Sequence, residues 1–359
     1  MNNAIPATMR AARLREIDGA VRLVVDEVDV PTPGPGEVLI RVRACGLNQV
    51  DLLTRDGKTP ADVPLPHISG TEVAGDVAAV GEGVRKWRGG ERVVVDPVLS
   101  CGECAFCRVG RDNMCLRGRI YGVQTHGGYA EYAIAPAAQL LPVPDHMDHS
   151  TAAAVAVTGP TAWHMLRRRA DVRVGEDVLV IAAGAGIGVL AVQIARLAGA
   201  RVIATAGSPD KMSRAVDLGA DHVVNHRDPE WADQVRTWTG GRGVDLVFEH
   251  VGAATWEGSL HAMARGGRLV TSGGHSGFTV SLDLWHLFVK EHTVIGSFAG
   301  SRQDLVDVLG LVAHGEIKPV VQDTVGLDGI EGAQRLLEDR GVFGKLLLDP
   351  TRQIGGSRR

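Results

Sequence analysis

This sequence has no long hydrophobic run. The longest, from Val178 to Val192, is shorter than the roughly 18 apolar residues that a membrane-spanning helix needs. The segment from Met1 to Arg15 also lacks the apolar core of a signal peptide. These two absences predict a cytoplasmic protein that has no membrane partner.

An excess of either charge is missing as well. The chain carries 38 basic and 42 acidic residues, which are intermixed and give a formal net charge of −4. It therefore lacks the basic field that attracts nucleic acid and the polybasic patch that binds an anionic membrane surface. We expect its partner to be a small-molecule substrate and expect no nucleic-acid partner.

What the sequence does contain is enough length for about two domains, 359 residues, with 46 glycines that indicate many tight turns. The central signal is the stretch from Val178 to Ala200, which reads as an apolar strand, a glycine-rich turn and an amphipathic helix that Gly199 ends. Such a turn directs backbone N–H groups and the positive end of the helix dipole toward a pyrophosphate.

Further strand and helix patterns alternate after this stretch, which indicates a doubly wound parallel sheet, the Rossmann arrangement. The predicted strands are 178–182, 201–205, 222–225, 245–249, 268–272 and 293–297.

The N-terminal part is β-rich. The strand-like stretch from Val21 to Ala44 is interrupted by a rigid turn from Pro31 to Gly36. After this turn the sequence alternates with a period of two, which is typical of a half-buried strand. The run from Gly344 to Asp349 is typical of a closing strand, so we expect the chain to return to the first domain after about residue 298. The tail from Gly355 to Arg359 is expected to be disordered.

Four cysteines give a strong metal signal. Their spacing, C-x₂-C-x₂-C-x₇-C, lets four thiolates surround one Zn²⁺ tetrahedrally and leaves no position open for a substrate. Disulfides are disfavoured in a chain that lacks an export signal, and an iron–sulfur cluster is a minor alternative. The sequence therefore predicts one structural zinc, held by Cys101, Cys104, Cys107 and Cys115.

Together these features resemble the zinc-containing alcohol dehydrogenase superfamily of medium-chain dehydrogenases/reductases, over essentially the whole chain. The motifs that carry the resemblance are the four-cysteine lobe and the segments Gly70–Glu72 with Gly75, Gly127–Tyr132 and Ala183–Gly188.

The resemblance implies hydride transfer with a nicotinamide. It also implies a GroES-like catalytic domain at residues 1–157 and 298–359, with the zinc lobe at about 97–120, and a Rossmann domain at 158–297. A homodimer or homotetramer is expected, formed through the edge strand around Phe278 to Leu282.

The sequence departs from the zinc alcohol dehydrogenases at the positions where they hold a catalytic zinc. Asn48, Thr71 and Val157 stand there, and these side chains are poor zinc ligands or none. Cys45 lies three residues before Asn48 and is expected to point to the opposite face of its strand as a small buried side chain. The segment Gly46–Asp51 looks like the quinone oxidoreductase and enoyl reductase branch, which works without a catalytic zinc.

The cofactor-binding residues follow from the fingerprint. The turn and first helical residues are expected to hold the pyrophosphate, and the second strand ends at Ala206, where an NAD-binding enzyme carries an acidic residue. Gly207, Ser208 and Lys211 can then bind a 2′-phosphate, which favours NADPH over NADH. Ser208 is equally expected as a helix N-cap before Pro209. The pyrophosphate residues are Gly184, Ala185, Gly186, Ile187 and Gly188.

The resemblance also brings Phe298 near the nicotinamide. Without a metal to polarise an oxygen, hydride transfer needs an acceptor that spreads its developing charge. We therefore expect reduction of a quinone or an activated C=C bond, with Asn48 and then Thr71 as hydrogen-bond donors in the catalytic site. The alternative for these two residues is polar filling of a former metal cavity.

Two other functions stay open. The first is a zinc-dependent alcohol dehydrogenase with atypical ligands such as Cys45, His67 or Glu72. The second is a nicotinamide-binding redox sensor that has no turnover.

Overall fold

The structure is a computed structural model that describes residues 4–59 and 61–352. Its internal contacts divide the chain into two units. The first runs to Val157 and resumes at Ser301–Ala313 and from Val321 onward, and the second comprises Thr158–Gly300 and His314–Val320. The tail from Gly355 to Arg359 lies outside the described residues. No helix within the described ranges is long and apolar enough to cross a bilayer.

A parallel sheet of six strands forms the centre of the second unit. Its strands are β10 Asp177–Val180, β11 Arg201–Ala206, β12 His222–Asn225, β13 Val244–Glu249, β14 Met263–Thr271 and β15 Thr293–Gly296. They lie in the order β12-β11-β10-β13-β14-β15, in which the chain runs outward from β10 in both directions. This is the doubly wound order, and the prediction of a Rossmann sheet is confirmed.

The helices of this unit cross between successive strands or follow them. They are α3 Thr158–Trp163, α4 Gly186–Leu197, α5 Pro209–Asp217, α6 Trp231–Trp238, α7 Ala253–Ala262 and α8 Leu284–Val289, and a π-helical turn at His164–Arg169 follows α3. Gly199 and Gly219, with φ of 81° and 103°, end α4 and α5 as expected, because glycine adopts the left-handed conformation without a Cβ clash.

The first unit contains the β-rich part of the chain. Its elements before Val157 are β1 Thr8–Ile17, β2 Ala20–Asp29, β3 Glu37–Gly46, α1 Gln49–Arg55, β4 Glu72–Val80, β5 Arg92–Val95, β6 Val98–Leu99, β7 Arg119–Ile120, β8 Tyr132–Pro136, β9 Leu140–Pro142 and α2 His149–Val155. Those after Ser301 are α9 Arg302–Ala313, β16 Val321–Val325, α10 Ile330–Glu338 and β17 Lys345–Leu348.

A seven-stranded sheet organises these elements. Its order is β16-β17-β3-β4-β5-β9, with β8 also paired to β3. The predicted closing strand is thus present as β17, and it pairs antiparallel with Cys45 and Gly46 of β3. Val38, Ile40, Val42 and Ala44 are buried as the alternation predicts, but Leu39 on the other face is buried too. The pairing of β17 with β3 brings the end of the chain beside residues 45–48.

The prediction of an edge strand around Phe278 to Leu282 is wrong. That segment forms no strand, and the edge of the six-stranded sheet is β15 instead. The apolar residues of the segment are accordingly exposed rather than packed in a sheet, with Phe278 71% exposed.

A buried carboxylate lies under the start of α9. Asp96 is 2% exposed, accepts a hydrogen bond from Val98 N at 3.1 Å, and lies 3.8 Å from the guanidinium of Arg302. Burial raises its pKa to about 7 and the nearby Asp112 adds to the rise, while the Val98 N–H and Arg302 act in the opposite direction. The loss of hydration therefore outweighs the attraction of Arg302.

We expect the substitution Asp96→Asn to stabilise the protein increasingly as the pH rises. The folded pKa lies above the unfolded value, so the wild type loses stability between about pH 4 and 7, by at most about 4 kcal/mol for a shift of about three units. Asparagine keeps the acceptor for Val98 N–H and cannot ionise. Calorimetric melting temperatures at pH 4.5, 6 and 7.5 should show the gap between variant and wild type widening.

The exposed Asp339→Asn variant is the control and should show no such trend. A gap for Asp96→Asn that stays constant over this pH range would contradict a buried, titrating carboxylate at this position.

Candidate active site

The glycine-rich turn after β10 is built by close packing of backbone. Ala185 is the N-cap residue of α4, and Gly186, Ile187 and Gly188 form its first turn. A Cβ on Gly188 would lie 2.4 Å from the carbonyl oxygen of Ala182, so only glycine lets the helix approach the strand here. The turn and the positive end of a twelve-residue helix thus lie at the carboxyl end of β10, where this fold binds dinucleotides.

The end of β11 carries no acidic group. Ala206 is the last residue of this strand and is buried. Ser208 caps α5 by accepting a hydrogen bond from Lys211 N at 3.4 Å, and Pro209 follows in the first turn, so the N-cap interpretation is confirmed. The hydroxyl still has its own proton to donate.

Two basic residues that the sequence reasoning missed lie beside this strand end. A Cβ placed on Gly207 would lie 3.0 Å from His226 Nε2 and 3.2 Å from Arg227 Nε. Burial lowers the pKa of Lys211, and the charges of Arg227 and Arg214 lower it further. Because β12 lies next to β11 in the sheet, the basic pair directly after β12 could have predicted basic groups at this strand end.

The four cysteines meet in one cluster. Cys104 Sγ lies 3.5 Å from Cys107 Sγ and 3.9 Å from Cys115 Sγ, and Cys101 Sγ lies 4.0 Å from Cys107 Sγ. A tetrahedral zinc with Zn–S bonds of about 2.3 Å requires sulfur–sulfur separations of about 3.8 Å. Backbone N–H groups, that of Glu103 first, lower the pKa of Cys101 to about 6, which favours the thiolate. The donor set fits one closed zinc site.

Asn48 and Thr71 are brought together, as the sequence reasoning requires. Asn48 Nδ2 donates to Thr71 Oγ1 at 3.2 Å. Thr71 is buried, whereas Asn48 is partly exposed at the start of α1. The pair therefore forms a small polar site with one side chain that a substrate can reach.

A buried lysine, which the sequence reasoning also missed, completes this site. Lys345 Nζ lies 2.6 Å from Glu72 Oε2 and donates to Asn48 Oδ1 at 2.8 Å and to the carbonyl oxygen of Leu47 at 2.9 Å. Its side chain is 4% exposed. The sequence signal for this lysine was its place at the start of the otherwise apolar strand Lys345–Leu348. A lysine in a buried strand needs a charged or polar partner, because lysine is rarely buried unless it is paired.

Asp51 supports the same site from α1. Its Oδ2 accepts hydrogen bonds from Asn48 N at 2.7 Å and from the hydroxyl of Tyr129 at 2.8 Å. Burial raises the pKa of Asp51 to about 6, while these two donors and the charge of Lys345 act to lower it. Burial also raises the pKa of Tyr129, which keeps its hydroxyl protonated as the donor.

Cys45 is a small buried side chain, as expected. It is fully buried, and its sulfur would lie 2.8 and 2.9 Å from Cβ atoms placed on Gly70 and Gly128. Burial raises the pKa of this thiol, the nearby Asp51 and Glu72 raise it further, and it packs as a small apolar group. A Cβ on Gly46 would lie 1.9 Å from Glu72 Oε2, so this glycine makes room for the carboxylate.

The other candidate zinc ligands do not converge on a common point. His67 Nε2 lies 3.0 Å from the carbonyl oxygen of Gly122, and Glu72 Oε1 accepts a hydrogen bond from Val157 N at 2.9 Å. Among residues 4–59 and 61–352, only the four-cysteine cluster brings three or more histidine, cysteine or acidic ligand atoms to one point.

Phe298 follows β15 and is 51% exposed, so its ring is accessible on the surface of the second unit. This exposure is compatible with contact to a bound cofactor.

Two family models match the chain. One, described as an alcohol dehydrogenase GroES-like domain, covers residues 34–145, and one described as a zinc-binding dehydrogenase covers residues 186–314.

Relatives with three different activities are similar to it over almost their whole length. The human quinone oxidoreductase is 29% identical over 95% of this chain and 97% of its own. The acryloyl-coenzyme A reductase of Sulfurisphaera tokodaii is 31% identical over 91% and 96%. The crystal structure of an NAD-dependent alcohol dehydrogenase superposes with a TM-score of 0.88 at 44% identity, over 95% of this chain and 99% of that one. The chain therefore belongs to the zinc-containing alcohol dehydrogenase superfamily of medium-chain dehydrogenases/reductases and is an NAD(P)H-dependent oxidoreductase.

Proposed function

We propose that this enzyme uses NADPH to reduce a quinone or a carbonyl-conjugated C=C bond, without a metal at the reaction centre. The observation that carries the proposal is the Asn48–Thr71 pair, backed by the buried ammonium of Lys345, at the positions where zinc-dependent relatives would hold their metal.

The pair suits an acceptor that becomes negatively charged on oxygen. When bound, the nicotinamide supplies the hydride, and the charge that develops spreads through the conjugated system to a carbonyl or quinone oxygen. Asn48 Nδ2 has two N–H groups, of which one is directed to Thr71, and the second can donate to that oxygen. A fixed donor of this kind stabilises the developing charge without reorganising at the moment of reaction.

The donor set argues against a catalytic zinc in the same place. An amide nitrogen that is already a donor and a hydroxyl that already accepts from it are weak competitors for zinc against four thiolates. We propose that the single zinc of this chain is structural and is held by Cys101, Cys104, Cys107 and Cys115.

Two features support NADPH as the cofactor. Ala206 offers no carboxylate to bind a ribose 2′-hydroxyl or to repel a 2′-phosphate. Ser208, Lys211, Arg214 and Arg227 lie near the same strand end. The charges of the two arginines lower the pKa of Lys211, and a bound phosphate would offset this repulsion. We propose that Gly184, Ala185, Gly186, Ile187 and Gly188 contact the pyrophosphate, that Gly207 allows the phosphate to approach, and that Phe298 packs near the nicotinamide.

The purified enzyme should oxidise NADPH with 1,4-benzoquinone or methyl vinyl ketone far faster than with butanal, and should contain about one zinc per chain. Asn48→Ala should lower kcat for the accepted substrate about 100-fold, the usual effect of removing one oxyanion donor, and should change KM little. Absorbance at 340 nm and elemental analysis provide the measurements.

Gln303→Ala removes an exposed amide and serves as the control. Two zinc ions per chain with turnover of alcohols or aldehydes alone would replace this proposal with a zinc-dependent alcohol dehydrogenase. Tight NADPH binding without turnover of any of these compounds would favour a redox sensor.

Cofactor selection should depend on Arg227. Arg227→Ala removes a charge-assisted contact to the 2′-phosphate, so kcat/KM with NADPH should fall about 10-fold or more, while kcat/KM with NADH stays within about twofold. Ala206→Asp should shift preference toward NADH. Steady-state kinetics with both cofactors measure these ratios.

Arg173→Ala, at an exposed arginine just before β10, is the matched control. Equal losses with NADPH and NADH in Arg227→Ala would show that the arginine does not read the 2′-phosphate.

We also propose that the chain forms a homodimer or homotetramer. Leu284, Trp285 and Phe288 of α8 are 60–66% exposed, close in sequence to the unpaired edge of β15. An apolar surface beside an open strand edge is typical of an interface between copies.

Sedimentation velocity should show a dimer or larger species for the wild type and for the exposed control Val174→Glu. Trp285→Glu should shift the species toward monomer, because the partner would have to bury a charge. A monomeric wild type at micromolar concentration would rule the assembly out.

A further inference from the structure

Three oxygen atoms surround the ammonium of Lys345. They belong to the carboxylate of Glu72, the backbone carbonyl of Leu47 and the side-chain amide of Asn48, at 2.6, 2.9 and 2.8 Å from Nζ. An ammonium has three N–H donors and no acceptor; two of them bond to Leu47 and Asn48, the Glu72 carboxylate forms an ion pair with it, and the side chain is only 4% exposed. Lys345 therefore has no donor left for a substrate and acts on the site through its neighbours.

The contact with Lys345 decides which way the amide of Asn48 points. An asparagine side chain can turn over and exchange its oxygen and nitrogen, but only the oxygen can accept from an ammonium. With Oδ1 held by Lys345, Nδ2 faces Thr71 Oγ1. Because Thr71 accepts from Asn48, its own hydroxyl proton is free to point onward. Thr71 is fully buried and Asn48 is partly exposed, so the donor that remains for a substrate is the second N–H of Asn48 Nδ2.

We propose that Lys345 is a positioning residue that locks the amide of Asn48, backed by the buried Thr71, into a donor-only face and strengthens that face by polarising the amide. The proposal rests on the proposed function, in which this face binds the oxygen of a quinone or enone. Hydrogen bonds in a chain polarise one another, so a charge at one end makes the N–H at the other end a stronger donor.

Glu72 makes a permanent buried ammonium possible at this place. Its Oε1 is held by Val157 N, its Oε2 faces Lys345, and Gly46 leaves the space for it. Removing Lys345 alone would leave this carboxylate buried without its ion-pair partner, which destabilises a protein strongly, whereas replacing both partners is often tolerated. The test therefore needs a variant that neutralises the pair as a unit.

The test variant is Lys345→Met/Glu72→Gln, in which glutamine can still accept from Val157 N. Its matched control is Lys58→Gln/Asp56→Asn, which neutralises an exposed lysine–aspartate pair in the same unit. With a series of para-substituted aryl vinyl ketones and NADPH, we expect the test variant to lose about 10- to 100-fold in kcat while KM changes less than about threefold.

Two further readouts separate positioning from a merely structural role. The dependence of kcat on the electron-withdrawing power of the substituent should become steeper in the test variant, because the ketone must then stabilise more of its own charge. The side-chain amide of Asn48, assigned by NMR in ¹⁵N-labelled protein through Asn48→Ala, should show two separate and slowly exchanging protons in the wild type and averaged or fast-exchanging ones in the test variant.

A folded test variant that keeps the wild-type kcat and substituent dependence would overturn the role of Lys345 while leaving the proposed function intact. A wild-type enzyme that reduces neither enones nor quinones would instead contradict the proposed function. In that case the amide signals still decide whether Lys345 orients Asn48: unchanged signals in the test variant contradict it, and averaged signals support it.

Discussion

The ion pair between Lys345 and Glu72 is the interaction on which the candidate active site depends. It joins the last strand of the chain to β4 across the end of β3, and it stands beside the loop that carries Asn48. A buried pair of this kind adds little stability by itself, because desolvation of both charges offsets their attraction. Its proposed value lies in geometry, because the ammonium accepts no hydrogen bond and therefore fixes the oxygen of the Asn48 amide toward itself.

The second unit works by a different principle. Its parallel strands end at one edge of the sheet, and the groups at that edge come from turns that are distant in sequence. The helix terminus after β10 and the basic residues after β11 and β12 therefore form one surface for an anionic ligand. Ala206 places no carboxylate at this strand end, so the proposed preference for a phosphorylated ribose rests on groups from several turns and not on a single motif.

The family to which the chain belongs includes enzymes that use zinc for catalysis and enzymes that do not. Side-chain chemistry separates the two possibilities here. Four thiolates at tetrahedral separations make a strong site for a structural ion, while an amide and a hydroxyl already bonded to each other make a weak one. In the proposed function the acceptor disperses its own charge, so hydrogen bonds can take the place of a Lewis acid.

The sequence alone determined the fold class, the six Rossmann strands, the closing strand and the cysteine cluster, because apolar periodicity, glycine turns and close ligand spacing are local signals. It also named Asn48 and Thr71, through a motif that departs from its family. Only the tertiary structure placed Lys345 beside Asn48 and Arg227 beside Gly207, and showed that 278–282 is not a sheet edge. Those facts depend on strand order and on pairings between residues far apart in the chain, which no local pattern encodes.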